Sequence, residues 1–529
     1  MKMTKAIGAL AAAGLSLTLV ACSDDSGSSS AGGGEGSNYV LASHIEPQNP
    51  LIPGNTNETG GGTVVQFLYS GLTYYDAEGE SHNDMAETID FDGDRTYKIT
   101  LRDANWADGT PVTANDFVDA WNYTVSESLL QESFFAPIKG YEPGVESLEG
   151  LTVEDDKTFT IELAEPTADF EQRLGYGPFM PMHPSAFDDI AAYGENPISN
   201  GPYSLEEWNH NENLLLVPNE EYDGPRKAQN DGVDLRVYTQ EDAAYADLLS
   251  GNLDVINSVP ESALTQYEQE LGDGAITQPS AVFQSFTIPT ELEHFEGEEG
   301  ELRRQAISMA FDREEIAETI FQGTVTPAKD FTSPVIPGYE EDLEGNDVLE
   351  FNPEKAKELW EQANDISEFT GTFEIAYNAD ASHQAWVDAL TNQLSNNLEI
   401  DAIGNPYPDF KGLRDDITNR NIDTAFRSGW QADYPSLGNF LEPLYATGGS
   451  SNDGDYSNDE FDAKLTEAQQ ASSVEEATKL FSEAQKILLK DLPAIPMWYS
   501  NAAAGHSEAV DNVEFAWNRV PLFYAITKS

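Results

Sequence analysis

Cysteine and positive charge are both scarce in this sequence. Of 529 residues one is cysteine, Cys22, and 27 Lys or Arg stand against 94 Asp or Glu, a formal net charge of -67. A single thiol leaves no internal disulfide and no Cys-built zinc or iron–sulfur site. A surface this acidic repels nucleic-acid phosphate, which excludes a DNA- or RNA-binding role. Histidine is also sparse: there are seven, dispersed along the chain, with no pair at the helical spacing of a zinc site. The sequence contains no G-x-S-x-G elbow, no H-E-x-x-H pair and no G-x-x-x-x-G-K-[ST] loop. With no nucleophile constellation in view, the chain is expected to be no enzyme and to need neither metal nor cofactor.

What is present is enough apolar material for large cores. Hydrophobic residues make up 39% of the chain and aromatics 10%, which separates it from acidic disordered sequences. The length suggests roughly three domains, or two lobes of unequal size. The surplus of acid reads as a solvated surface suited to salt, with steering of cationic ligands as the sharper alternative.

The N-terminus has its own pattern. Lys2 and Lys5 precede an apolar run over 6–20, and Leu19-Val20-Ala21-Cys22 closes it. Residues 1–21 therefore read as a lipoprotein signal peptide, with Cys22 the lipidated new N-terminus. Residues 22–37 are rich in Gly and Ser, a flexible tether with a root-mean-square reach of about 20 Å. Stable anchoring takes more than one acyl chain, so a diacylated cysteine suits the requirement. No second long apolar run follows.

Further along, Thr96 to Leu101 and Phe159 to Leu163 alternate apolar and polar residues, the period of a half-buried strand. Thr113-Ala114-Asn115-Asp116 ahead of Phe117, Val118 and Trp121 predicts a capped amphipathic helix. Helical stripes are predicted over 302–321 and 460–489, and Asn352-Pro353 opens another helix. This mixture implies an α/β class. The acids at 90–94 begin like a calcium loop, but Arg95 and Leu101 fall where glycine and glutamate are needed, so a hairpin turn is expected. The acidic run 453–460 could hold a weak cation, and reads more simply as a solvated surface loop.

Several segments, taken in order, resemble one family. They are TYKITLR at 96–102 with WADGTPVTANDF at 106–117, NGPY at 200–203, LLSGNLD at 248–254, RQA at 304–306 with AFDR at 310–313, YSN at 456–458 with EFD at 460–462, and LPAIP at 492–496. Together they resemble the extracytoplasmic solute-binding proteins of peptide ABC importers, the oligopeptide- and dipeptide-binding family. The resemblance implies an α/β, two-lobed periplasmic-binding-protein-like clamp with an extra domain on the first lobe, closing by hinge motion. It implies lobe I from 38–75, 195–285 and 500–529, the extra domain from 76–194, and lobe II from 286–499.

The same resemblance implies site residues. In RSGWQADY at 427–434, Asp433 matches the acid that accepts the ligand's α-ammonium, a charge-assisted contact of about 1.5–3 kcal/mol. Gly429 and Trp430 would let a peptide backbone approach, with Trp430 walling a side-chain pocket. Arg427 matches a basic position near the ligand carboxylate, His383 a histidine near the peptide C-terminus, and Glu58 an acid of the N-terminal pocket. Each has a plainer alternative: a turn cap for Asp433, an interlobe ion pair for Arg427, a helix-start histidine for His383, core packing for Trp430. The expected partners are short peptides and the permease and ATPase subunits of an importer, with the protein monomeric and lipid-anchored outside the cell membrane. The same fold with a nickel chelate, glutathione, haem, sugar or signalling peptide is the alternative. A surface hydrolase or adhesion lipoprotein is the remote one.

Overall fold

In the computed structural model the described residues are 38–379, 383–408 and 410–528. The expected signal peptide, Cys22 and the expected tether lie outside them. Residues 38–529 form one compact unit, and among its described residues an eleven-stranded mixed sheet is the largest element.

From one edge the sheet runs Asp401–Tyr407, Thr372–Asn378, Ala425–Gln431, Ala275–Thr287, Ala494–His506, Val255–Ile256, Val40–His44, Val233–Val237, Asn213–Pro218 and Tyr203–Asn209; Val325–Pro327 pairs beside Ala494–His506. The two 13-residue strands in the middle connect two bodies. Residues 275–279 pair with 501–505 and residues 283–287 with 494–499, with register shifts at Pro279/Phe283 and Gln284/Ser285. A bulge frees ladder hydrogen bonds and bends the strand. On one side of the bend Ala504 joins a core with Val40, Phe67, Trp121 and Leu214. On the other, Phe283, Phe286 and Tyr499 join a core with Phe311, Trp360, Leu390 and Phe481.

A separate four-stranded antiparallel sheet, Ala86–Phe91, Thr96–Leu101, Thr158–Glu162 and Leu151–Asp155, shares the first core. Its strands carry the expected alternation: Tyr97, Ile99 and Leu101 are buried while Lys98 is exposed. The helix Ala114–Ser126 has the expected capping box between Thr113 and Asp116. Phe117 and Trp121 from it pack with Phe159 and Phe179. The last segment serves both bodies, since Phe515, Phe523 and Ile526 join the first core and Ala516, Trp517 and Leu522 the second.

The helical stripes are shorter than their sequence pattern. Residues 302–321 divide into Gly297–Met309 and Arg313–Thr319, because Asp312 accepts from the Glu315 N–H and starts a new helix. Residues 460–489 divide likewise into Asp459–Gln469 and Val474–Asp491, the latter capped by Ser473. The 90–94 turn is a hairpin: Asp92 Oδ1 accepts from the backbone N–H of Asp94, Arg95 and Thr96 at 2.8–3.1 Å. The 453–460 loop lies at the surface as expected, with Asp455, Ser457, Asp459 and Glu460 exposed, and two of its acids are paired there. Arg414 donates to Asp453 at 2.6 Å and Arg420 to Asp455 at 2.8 and 2.9 Å, so arginines already compensate these acids.

Candidate ligand-binding site

The strand Ala425–Gln431 carries half of the expected site residues, Arg427, Gly429 and Trp430. It pairs with residues 282–287 along its length, but with Thr372–Asn378 only at Ala425 and Phe426. Its far edge from 427 onward therefore has no paired strand among the described residues. Gly429 stands opposite Gln284, and a Cβ there would lie 2.9 Å from the Gln284 amide. Glycine lets that amide lie against the backbone. Trp430 is half-buried against the second core and donates from Nε1 to Asn439 Oδ1 at 3.2 Å. Arg427 donates from Nε to Asn378 Oδ1 at 3.0 Å, with its guanidinium 5.0 Å from the Phe410 ring centroid. Arg427, Gly429 and Trp430 line one cavity of about 280 Å³.

Asp433 follows the strand and faces a second cavity of about 240 Å³, together with Glu58, Tyr176, Gln431 and Asn518. Its backbone N–H donates to Asn439 Oδ1 at 2.8 Å, and Asn439 Nδ2 returns a bond to Asp433 Oδ2 at 3.1 Å. The Tyr176 hydroxyl donates to Oδ1 at 3.0 Å. Gln131 in turn donates to the Tyr176 oxygen and to the Thr56 carbonyl at 3.0 and 2.8 Å. Burial pushes the Asp433 carboxyl above its ordinary value, and the bonds from Asn439 and Tyr176 oppose that rise. Neutral donors thus position the carboxylate, and no ion pair joins it to a described cation. An acid in this state gains most from an incoming ammonium.

Glu58 reaches the same cavity as the N-cap of the helix Thr59–Leu68. Its Oε1 accepts from the Gly61 and Gln48 N–H groups at 2.8 and 3.2 Å. Its Oε2 is buried without a hydrogen-bond partner. The glycine run explains itself here, because a Cβ on Gly61 would come within 2.4 Å of Oε1. His383 lines neither cavity. It stands at the start of the helix Gln384–Leu398, and its Nδ1 accepts from Trp386 Nε1 at 3.2 Å. The structure thus brings Asp433 and Glu58 together, and Arg427, Gly429 and Trp430 together. Tyr176, Asn439 and Gln131 complete the setting of Asp433 without a motif that marks them in the sequence. Asn439 lies only six residues past Asp433, but Tyr176 is 257 residues away, beyond any local signal.

Asp76, Glu80 and His82 are close enough to share an ion. They form an exposed turn in which Asp76 already accepts from the Glu78 and Glu80 N–H groups and from His82.

Next to Asp433 the two bodies are fastened. Ser436 donates to Asp169 Oδ2 at 2.8 Å, and Arg173 Nη2 lies 3.0 Å from Asp169 and 3.5 Å from Glu442. Gln172 donates to the Pro435 carbonyl at 3.2 Å. Burial, followed by the Asp169 charge, raises the Glu442 carboxyl from 4.5 to about 7, against the pull of Arg173. A raised folded-state value means protonation favours the fold. The stabilisation is complete below about pH 4.5 and is lost as pH rises through about 7. Urea melts of the wild type and of Glu442→Gln should therefore diverge over this window, the wild type losing stability relative to the variant. Parallel curves would remove Glu442 from this role.

An α/β protein whose two cores meet at a bulged strand pair, with a carboxylate-lined cavity beside an open strand edge, is built to bind a ligand. Residues 80–452 match the model of the bacterial extracellular solute-binding proteins, family 5 (its middle region), and the chain belongs to that family. It is 26% identical over 473 residues to the oligopeptide-binding protein OppA of Bacillus subtilis (strain 168), covering 85% of each chain. It is 27% identical over 459 residues to the periplasmic murein peptide-binding protein MppA of Escherichia coli (strain K12), covering 83% of each. The structure of E. coli MppA superposes with a TM-score of 0.76 at 24% identity, over 94% of this chain and 99% of that one. DppA of Helicobacter pylori, in complex with the peptide STSA, gives 0.75 at 20% identity over 93% and 98%. The fold is thus the two-lobed α/β clamp that the sequence motifs resemble.

Proposed function

We propose that this protein is the lipid-anchored substrate-binding subunit of an ABC importer, which captures short peptides and delivers them to a membrane permease and its ATPases. The carrying observation is the Asp433 carboxylate, raised by burial, bonded by neutral donors and facing a cavity beside the open edge of Ala425–Gln431. A ligand α-ammonium completes the charge at Asp433. The ligand backbone then extends along the open edge past Gly429, as an added strand whose main-chain bonds read no sequence. Trp430 walls a side-chain pocket, and Arg427 receives a carboxylate or lines the cavity. His383 is the more distant candidate for the peptide C-terminus. Glu58, with one oxygen unpartnered, supports the ammonium pocket.

In this reading lobe I comprises 38–75, 195–285 and 500–529, with the extra domain at 76–194, and lobe II comprises 286–499. The bulges between Pro279 and Ser285 act as the hinge. Cys22 carries the lipid, 22–37 is the tether, and the protein works as a monomer on the extracytoplasmic face of the membrane. The test is a thermal-shift series with tripeptides and their N-acetylated forms. Stabilisation by the free amines that disappears on acetylation supports the reading, whereas equal stabilisation by both forms removes the ammonium anchor. Retention of the wild type in membranes, with release of Cys22→Ser, checks the anchor.

A further inference from the structure

A third cavity, of about 380 Å³, adjoins the one that holds Asp433. The two share Thr59, Thr63, Gln431, Asn518 and Val520 as common wall. The first carries the carboxylates of Asp433 and Glu58, and the adjoining one carries a guanidinium, that of Arg519. The turn that presents it is closed by Ala516 N–H to Val520 C=O and Arg519 N–H to Ala516 C=O, both at 2.8 Å. Arg519 itself sits at φ +71°, in the left-handed region that a long side chain rarely occupies. Such an outlier persists only where the surrounding structure fixes it.

Arg519 also differs from the other arginines. Among the described residues each of the others donates at least one side-chain hydrogen bond, whereas the Arg519 guanidinium has no hydrogen bond and no ion pair. This happens in a chain where acids outnumber bases 94 to 27. The titratable groups sharing its cavity are Glu241, His44 and Tyr238. Glu241 acts on Arg519 only through its field, without an ion pair. His44 is buried, donates from Nε2–H to the Gly60 carbonyl at 3.1 Å, and stays neutral because burial lowers it to about 4. Arg519 is thus the cavity's cation. The Asn257 Oδ1 in the same wall is a buried acceptor without a partner, so the cavity offers a place for a ligand donor as well.

We infer that this cavity is an anion subsite in which Arg519 receives a carboxylate on the side chain of the ligand's first residue. The inference rests on the reading of Asp433 as the ammonium anchor. At that first Cα the ammonium is taken by Asp433 and the carbonyl leads along the open strand edge. The remaining substituent is the side chain, and the adjoining cavity is the space next to it. An aspartate or glutamate there places its carboxylate in the only one of the two cavities that carries a cation, and the planar guanidinium suits a carboxylate geometrically.

Calorimetric titration of the whole protein with Glu-Ala-Ala, Gln-Ala-Ala and Ala-Ala-Ala tests this, at about 0.15 M salt to screen the acidic surface. The wild type should prefer Glu-Ala-Ala over its isosteric Gln-Ala-Ala by about tenfold or more. Arg519→Asn should erase that ratio while holding Gln-Ala-Ala within about twofold, since asparagine tolerates a left-handed turn and is expected to keep the fold. Arg519→Lys, which keeps the charge and loses the fork, should restore part of the preference. Equal affinities for the Glu and Gln peptides in the wild type, or a preference that survives Arg519→Asn, would overturn the subsite and leave the peptide reading standing. Failure of all three peptides to bind would overturn both.

Discussion

Asp433→Asn is expected to weaken binding of free-amine tripeptides about a hundredfold while leaving the protein folded. Truncating one side of a buried charge pair costs about 2–5 kcal/mol, largely because the other charge is left without compensation. Here the stranded charge would be the ligand ammonium, which faces no other described cation-binding acid in that cavity except Glu58. The fold has little reason to fail. An asparagine can accept from Asn439 Nδ2 through its oxygen, and the Tyr176 hydroxyl can rotate to accept from its amide. The variant should therefore melt close to the wild type and lose its discrimination between free and acetylated peptides. The wild type should also show a pH dependence that the variant lacks. Because burial raises the Asp433 carboxyl, it is protonated over a range where an ordinary aspartate is ionised, and an ammonium ligand must displace that proton. Affinity should rise with pH through the raised value in the wild type and stay flat in Asp433→Asn. Unchanged affinity in the variant would remove Asp433 from the anchor role.

The sequence shows local chemistry better than assembled chemistry. Thr113 and Asp116 announce their helix because a capping box needs only four consecutive residues. The strand Thr96–Leu101 is equally plain, its period of two visible without knowing its neighbours. Over 302–321 the apolar stripe marks helix, but Asp312 resets it through one side-chain bond that periodicity does not register. The site follows the same division. RSGWQADY could be singled out as a contiguous motif, whereas the Tyr176–Gln131 chain that positions Asp433 comes from the other body of the protein. Arg519 carries no motif at all. Its distinction is that it has no partner among described residues, and partnership exists only once the chain has folded.

Arg226→Met is expected to be among the most damaging single changes to stability, with a loss of about 3–5 kcal/mol. The Arg226 side chain is 7% exposed and its partner Asp84 is fully buried. Nε and Nη2 reach Asp84 Oδ2 at 3.1 and 2.9 Å, Nη1 reaches the Gln66 carbonyl at 2.7 Å, and Nη2 also reaches the Tyr69 carbonyl and Ser70 hydroxyl. These carbonyls close the helix Thr59–Leu68, whose last turn would otherwise end unsatisfied in the core. Methionine would fill much of the volume but leave the Asp84 charge with the Tyr222 hydroxyl and a 3.5 Å approach from Arg102. Most of the loss should come from that stranded charge rather than from the missing bonds. Adding Asp84→Asn to Arg226→Met should therefore recover part of the stability, and a double-mutant cycle in urea should return a coupling of about 1–3 kcal/mol. Additive losses would instead mean that the carbonyl contacts dominate. Because Arg226 and Asp84 line neither the cavity that holds Asp433 nor the one that holds Trp430, and touch the former only through the Gln66 backbone carbonyl, peptide affinity measured on the folded fraction should change by no more than about twofold, separating the loss of fold from the loss of function.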